Sequence, residues 1–464
     1  MTDSILIVGG GIAGLHAAIE CANAGARAIV VEQGPVVGGK LAATMTEASA
    51  IGDRAEGVRT PLFEALSNNE NIEIITLANL ESIEGRPGNF SVSIREHARF
   101  VTDECTRCKL CRAVCPVVMS NEFDAGLTYR KAIYAPMSET YPEEWVVDIQ
   151  SCLNTPPNYL PCQRCVEVCE DNAIHFNLPL DTVHERQVGA VILATGFQIQ
   201  DGTGFNDLGY GTHPDILMSA ELQRLLESPG PTGGYASKPS NEEYPESVLL
   251  VLDNLSQFGL YIVASQVNQL LEQDVESVSV LVLSQLTGES EYEEVQTLAQ
   301  KTGVQVRWGA MLKIDPVEEN MLDVSFEDFS TKRYLNQTYD MVVLCSDVEA
   351  PDGLKELADT VDIELADSGY IMVNGANGAG VSTSQPGIFV AGCASGAKNI
   401  KDSIADAHTA ASSALEQLDP RMLDADAVPE QAPGKTASAA QVSPDDMRSQ
   451  IEQLLYALIS RPDN

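Results

Sequence analysis

The chain has 464 residues, too many for one ordinary hydrophobic core, and its 44% hydrophobic content is that of a folded protein with two or three domains. Its 67 acidic against 28 basic residues give a formal net charge of −39. Such a surface repels nucleic acid and anionic membrane, since both are bound through Lys and Arg on phosphates. No apolar run approaches the roughly 18–20 residues that span a bilayer. Ser4–Val8 leads directly into glycines, without the basic segment and cleavage site of a signal peptide, so the expected compartment is the cytoplasm.

The first 35 residues read as a strand–helix–strand unit. Ser4–Val8 is a short apolar strand, Leu15–Ala24 an alanine-rich helix closed by Gly25, and Ala28–Val31 a second strand ending at Glu32. The turn Gly9-Gly10-Gly11-Ile12-Ala13-Gly14 between the first strand and the helix fits G-x-G-x-x-G. Gly9 makes the turn, Gly11 lets backbone approach a pyrophosphate and Gly14 lets helix and strand pack closely. The helix N-terminus stabilises the phosphates, and Glu32 is placed to bind ribose hydroxyls. Gly38-Gly39-Lys40 adds the further turn that a flavin dinucleotide needs. The unit is therefore read as an FAD site that also draws on Ile12, Ala13, Gln33, Gly39, Lys40 and Leu41.

From Asn71 the pattern turns to short β segments, Ile72–Leu77 and Phe90–Ile94, with a hairpin near Glu84–Gly88. A cysteine block interrupts this domain. Eight of the eleven cysteines fall between Cys105 and Cys169, and in a chain without secretory signals such clustering favours metal over disulfides. Cys105-x2-Cys108-x2-Cys111-x3-Cys115-Pro116 is the bacterial ferredoxin run. The second set, Cys152-x9-Cys162-x2-Cys165-x3-Cys169, has a longer first gap but still four thiolates. Crossed ligation assigns Cys105, Cys108, Cys111 and Cys169 to one 4Fe–4S cluster. The other takes Cys115, Cys152, Cys162 and Cys165. Structural zinc is the alternative, disfavoured by the Cys-Pro ending and by the two copies.

Val188–Gly196 returns to the first domain as a buried strand whose end supplies Ala194, Thr195 and Gly196 to the cofactor. Asp201–Glu243 reads as a loop-rich connection. A second α/β pattern follows, with strands Val248–Leu252, Val278–Leu283 and Val304–Trp308 and helices Tyr261–Gln273 and Tyr292–Lys301. Where a pyridine-nucleotide domain would carry its glycines, this one has Asp253-Asn254-Leu255-Ser256-Gln257-Phe258-Gly259, so NAD(P)H binding is not expected. Met341–Leu344 is read as the return to the first domain.

Gly387–Gly392 is a further buried strand, followed by a helix from about Asp402 to Leu418. The positive end of that helix, with Gly392, Ser403 and Ile404, is expected against the flavin. Lys398 is expected to add a cation there, and Cys393 directly follows the strand; both are candidate catalytic residues. Cys21 and Cys345 read as small buried hydrophobes. Asp419–Val442 is Pro/Ala/Ser/Gln-rich, and Pro444–Ile459 reads as an amphipathic helix capped by Ser443.

The segments IVGGGIAGLHAA, VVGGK, the ferredoxin run, EFDAGLTYRKAIYAPM (Glu122–Met137), VGAVILATGF and GIFVAGCASGAKNIKDSIADA together resemble the A subunit of heterodisulfide reductase, over roughly residues 1–418. The resemblance implies an α/β, thioredoxin-reductase-like fold with two nucleotide-type domains and an inserted two-cluster ferredoxin domain of α+β type. It divides the chain into FAD-domain segments 1–100, 181–245 and 351–418, the insert 101–180, a degenerate pyridine-nucleotide-type domain 246–350 and the tail 419–464. It further implies an oxidoreductase subunit passing electrons between FAD and the clusters, with B- and C-type subunits or ferredoxin-like carriers as partners, sulfur, thiol or disulfide substrates and a homodimer as a further state. Two departures set the chain apart from archaeal members. Leu41–Ala65 lacks their cysteine, and no ferredoxin module follows residue 418. A bacterial complex is therefore expected. The alternatives are the A subunit of a quinone-interacting membrane-bound oxidoreductase and a non-catalytic electron wire.

Overall fold

A computed structural model describes residues 3–40, 56–136, 141–200, 202–227, 230–252, 257–283, 303–317, 320–345, 347–374 and 380–418. All of these lie in one compact unit, Met1–Leu423, while the second unit, Asp424–Asn464, falls outside the described residues. So do Leu41, most of the expected non-binding stretch at 253–259 (residues 253–256), the expected helix at 292–301, the acidic linker and the tail helix at 444–459.

Five parallel strands form the first sheet, in the spatial order Ile388–Val390, Ala190–Leu193, Ser4–Val8, Arg27–Val31 and Ile72–Ile75. Their continuous apolar sequences suit a sheet covered on both faces. One face is closed by helices Ile12–Asn23 and Ile400–Leu418, which meet through small residues such as Ala17, Ala18, Ala410 and Ala414. An antiparallel three-stranded sheet and the helix Leu354–Val361 close the other face through Phe90, Val92, Leu354 and Val361. One strand of that small sheet, Ala78–Arg86, is absent from the sequence reading. Its polar, largely exposed sequence ANLESIEGR carries too little hydrophobic alternation to show.

The cysteine segment leaves this scaffold through two paired strands. Asn89–His97 and Asp181–Val188 run antiparallel in register from Phe90↔Val188 to His97↔Asp181. Residues 98–180 leave and re-enter at the His97 end. They have their own small core of Phe100, Val101, Ile133, Trp145, Val147 and Ile174, against which Cys105, Cys111, Cys115, Cys152, Cys165 and Cys169 pack.

The second α/β region is a seven-stranded sheet in the order Ile216–Met218, Met341–Cys345, Ser247–Leu252, Ser277–Val282, Gln305–Val317, Met321–Asp328 and Arg333–Tyr339. The first five are parallel neighbours, and the last three form an antiparallel meander. Two expectations are corrected here. Met341–Cys345 does not return the chain to the first sheet; it is a fully buried strand of the second, between Ile216–Met218 and Ser247–Leu252. The stretch 201–243 is not merely a connection either. It supplies the edge strand Ile216–Met218 and the helix Ser219–Leu226. A three-residue strand gives no period to read, which is why the sequence concealed it. The crossing back comes later, where Val348–Glu349 pairs with Gln198–Ile199.

Candidate functional site

A cavity of about 570 Å³ opens at the C-terminal ends of the first sheet's strands, the end at which open α/β sheets bind ligands. Gly9, Gly11, Ile12 and Ala13 form part of its wall. Gly9 has φ +109°, and a Cβ there would stand 2.2 Å from the carbonyl oxygen of Ala194. Gly11 differs, because its missing side chain would meet nothing closer than the Cα of Gly39 at 4.0 Å. The space a side chain would fill is left open beside the N-terminus of helix Ile12–Asn23, as a pyrophosphate requires. Gly38 braces the turn by donating its N–H to Gly10 O at 2.8 Å.

Glu32 ends its strand as expected, and its carboxylate is doubly engaged. Oε2 accepts the Gly10 N–H at 2.7 Å and Oε1 accepts the Gly34 N–H at 2.6 Å. Burial pushes its pKa up, while those two N–H bonds and nearby Lys40 pull the other way. Each oxygen keeps a lone pair that can face a ribose hydroxyl. Glu32 therefore holds the glycine turn in shape as well as facing the cavity.

At the opposite wall, Asn399 caps helix Ile400–Leu418, its Oδ1 accepting the Asp402 N–H at 2.8 Å. Ile400 and Ser403 at that helix start line the cavity, as does Lys398. Lys398 Nζ donates to Ser395 Oγ at 2.8 Å and to Asp406 Oδ2 at 2.5 Å. Its charge is thus delivered as half of an ion pair. Cys393 is buried, and its thiol donates to Lys398 O at 3.3 Å. Burial pushes that thiol's pKa up. Cys393 itself lines the cavity beside Lys398, where burial favours the neutral thiol.

Gln33, Gly39, Lys40, Ala194, Thr195 and Gly196 also line the cavity. Gly14, Gly392 and Ile404 do not. A Cβ on Gly14 would lie 1.9 Å from Gly9 O, so Gly14 serves helix–strand packing. A Cβ on Gly392 would lie 2.7 Å from Ala13 Cβ, so Gly392 serves the close approach of the last strand to the first helix. Ile404 is turned about 100° around its helix from Ser403. The sequence reading missed Glu122 and Phe123 from the cysteine segment, and Pro351 and Asp352 from the crossing back. Only the unusual stretch beginning at Glu122 carried any signal for them.

The eight clustered cysteines surround two separate small cavities. Cys105, Cys108, Cys111 and Cys169 line one; Cys115, Cys152, Cys162 and Cys165 line the other. Arg107 and Lys109 have φ of +58° and +69°, curling the loop on both sides of Cys108 before the short helix Leu110–Val114 lifts Cys111 and carries the chain to Cys115. Among the described residues no three Cys, His, Asp or Glu side chains converge tightly enough for a single metal ion. Each quartet instead stands around a space walled by residues such as Ile133, Trp145 and Val147. Burial pushes the Cys111 thiol up to about 11 and the Cys165 thiol up to about 12. Cys21 and Cys345 are buried in the helix Ile12–Asn23 and the strand Met341–Cys345, away from both quartets.

Among the described residues, no helix is long and apolar enough to cross a membrane. Residues 4–79 match a family model described as FAD dependent oxidoreductase. The chain is 31% identical over 476 residues to the first iron-sulfur A subunit of the CoB–CoM heterodisulfide reductase of Methanopyrus kandleri, covering 97% of this chain and 70% of that protein. It is 32% identical over 425 residues to the corresponding protein of Methanocaldococcus jannaschii, covering 88% of this chain but 63% of that one. The chain thus spans less than two thirds of the length of the latter relative. Thioredoxin reductase of T. acidophilum superposes with a TM-score of 0.48 at 15% identity, covering 89% of this chain and 98% of that structure.

Proposed function

Because the chain belongs to the family of heterodisulfide reductase A subunits, we propose that it holds one FAD and two 4Fe–4S clusters and passes electrons between them within a heterodisulfide-reductase-like complex. The observation that carries this reading is the neighbourhood of the sites: the segment holding both cysteine quartets also contributes Glu122 and Phe123 to the wall of the nucleotide cavity. Bound there, FAD would accept electrons in pairs and the clusters would pass them singly.

The chain's own groups have distinct tasks. The amides at the start of helix Ile12–Asn23 and the open side of Gly11 receive the pyrophosphate, and Glu32 receives ribose hydroxyls. Lys398, steadied by Asp406 and Ser395, places positive charge beside the cavity together with the N-terminus of helix Ile400–Leu418. The residues that wall the quartets, from Ile133 to Arg107 and Arg164, set the polarity around the cluster sites and so tune their potentials. The electron partners are B- and C-type subunits or ferredoxin-like carriers, and the substrates belong to the sulfur, thiol and disulfide class. Pyridine nucleotides are not reductants, because Asp253–Gly259 lacks phosphate-binding glycines.

The test is cofactor content after anaerobic reconstitution. The expected result is about one FAD and about eight irons per chain. Four irons or fewer would remove the second cluster from the reading.

A further inference from the structure

The stretch that begins at Glu122 joins the nucleotide cavity to one of the two cysteine quartets through a single buried cation. Arg130 is 8% exposed. Its guanidinium holds the Glu122 carboxylate with two bonds, Nε to Oε2 at 2.5 Å and Nη2 to Oε1 at 2.6 Å. The same Nη2 donates to Asp148 Oδ2 at 2.8 Å. Its carbon lies 4.1 Å from the centre of the Tyr134 ring, and that ring packs on Phe123 at 5.7 Å between centroids. Asp148 then organises the next turn. Its Oδ1 accepts the N–H groups of Gln150 and Ser151 at 3.0 and 3.1 Å, and its carbonyl accepts the Cys152 N–H at 2.9 Å. Cys152 lines the second quartet's cavity, while Glu122 and Phe123 line the nucleotide cavity.

A planar fork that bridges two carboxylates is a task for Arg, which a Lys point charge does not reproduce. Burial opposes the charge on Arg130, yet its bonds to Glu122 and Asp148 hold its pKa above the ordinary value. The cation is permanent, and removing it leaves Asp148 uncompensated where it is largely buried and Glu122, half exposed, without its partner.

We propose that Arg130 is a positioning residue that neutralises Glu122 at the flavin cavity wall and fixes the Asp148 turn carrying Cys152, so that one side chain sets the electrostatics of both the flavin and the cluster of Cys115, Cys152, Cys162 and Cys165. This rests on the cofactor reading above. Reduction adds negative charge to the flavin. A carboxylate freed at the cavity wall therefore opposes reduction, and a cation freed there favours it.

The experiment uses the full chain, reconstituted anaerobically, with FAD and iron measured before a redox titration followed by absorbance and electron paramagnetic resonance. Arg130→Met should shift the flavin equilibrium about tenfold against reduction, about 59 mV for one electron, and alter the signal of one cluster. Glu122→Gln, which keeps the Arg130–Asp148 bond, should shift the flavin potential upwards and leave both cluster signals as in the parent. The double variant should return the flavin near the parent potential. A role in folding alone predicts no such opposition of sign. Single variants that keep FAD and iron yet leave the flavin potential unchanged, or move it in one direction, overturn the proposal. Should Arg130→Met fail to fold or load, Glu122→Gln decides: a raised potential supports the proposal and an unchanged one overturns it. A parent chain that binds no FAD would instead overturn the cofactor reading, and this proposal with it.

Discussion

The molecule builds a strand leading into a helix twice, and the two copies differ in the sequence that joins strand to helix. In the first sheet Ser4–Val8 runs into Gly9 and the helix Ile12–Asn23; in the second, Ser247–Leu252 precedes the helix Gln257–Glu272. Both strands are central, parallel and buried, and both helices pack back on their sheets. The first turn has a glycine wherever backbone must approach backbone, at 2.2 Å for a Cβ on Gly9 and 1.9 Å for one on Gly14, and a glycine facing open space at Gly11. The second reads Asp-Asn-Leu-Ser at 253–256. Burial of apolar strands therefore maintains the α/β layout in both regions, while glycines with the spacing a dinucleotide needs stand only in the first joining sequence.

The largest effect expected from this comparison is at Gly11. Gly11→Val fills the space left for phosphate while meeting no protein atom at its Cβ closer than 4.0 Å. FAD affinity should fall roughly a hundredfold, about 2.7 kcal/mol, with the thermal midpoint of the cofactor-free chain unchanged. Fluorescence titration with FAD and a thermal melt measure both. An unchanged affinity would break the contrast between the turns. Gly14→Ala, whose methyl would collide with Gly9 O, should instead destabilise the unit itself.

The next effect separates the cofactor turn from the insert. Cys108→Ser and Cys162→Ser should each halve the iron, from about eight atoms to about four, and keep FAD in place. Iron and flavin analysis of the two purified variants checks this. Loss of FAD in either would mean that the nucleotide site depends on an intact cluster.

Smaller still is the effect at Lys398. Its ion pair with Asp406 at 2.5 Å and its 26% side-chain exposure both temper its influence on the cavity. Lys398→Ala should lower the flavin potential by a few tens of millivolts, where about 59 mV is a tenfold change for one electron. Asp406→Asn should raise it. Spectroelectrochemistry that finds all three potentials equal would place this pair outside the flavin's field. The smallest expected effect is none: NADH and NADPH should leave the flavin oxidised in stopped-flow mixing. Bleaching within seconds would show that the second α/β region binds a dinucleotide without the glycine pattern.

The features legible in the sequence were those written in short spacings. The glycine turn needs six consecutive residues, and each cysteine run confines its ligands to one loop and the helix after it, so the crossed division into quartets is visible before any fold is known. The parts that escaped were those assembled from a distance. Glu122 and Phe123 reach the nucleotide cavity only because the insert re-enters beside it. Ile216–Met218 is too short to show a period, and Ala78–Arg86 too polar. Gly392 and Ile404 do not line the cavity: Gly392, with φ +62°, serves the close approach to Ala13, and Ile404 is turned about 100° around its helix from Ser403.

We propose that the nucleotide cavity and the two cysteine quartets form one electron-transfer unit within this chain. The most direct test is to photoreduce the flavin of the reconstituted, partner-free chain with a sacrificial donor, stop the light, and follow the clusters by electron paramagnetic resonance. The expected result is that reduced-cluster signals grow as the flavin returns to its oxidised form. A flavin that stays reduced beside clusters that remain oxidised, in a sample whose clusters accept electrons from dithionite, would contradict it.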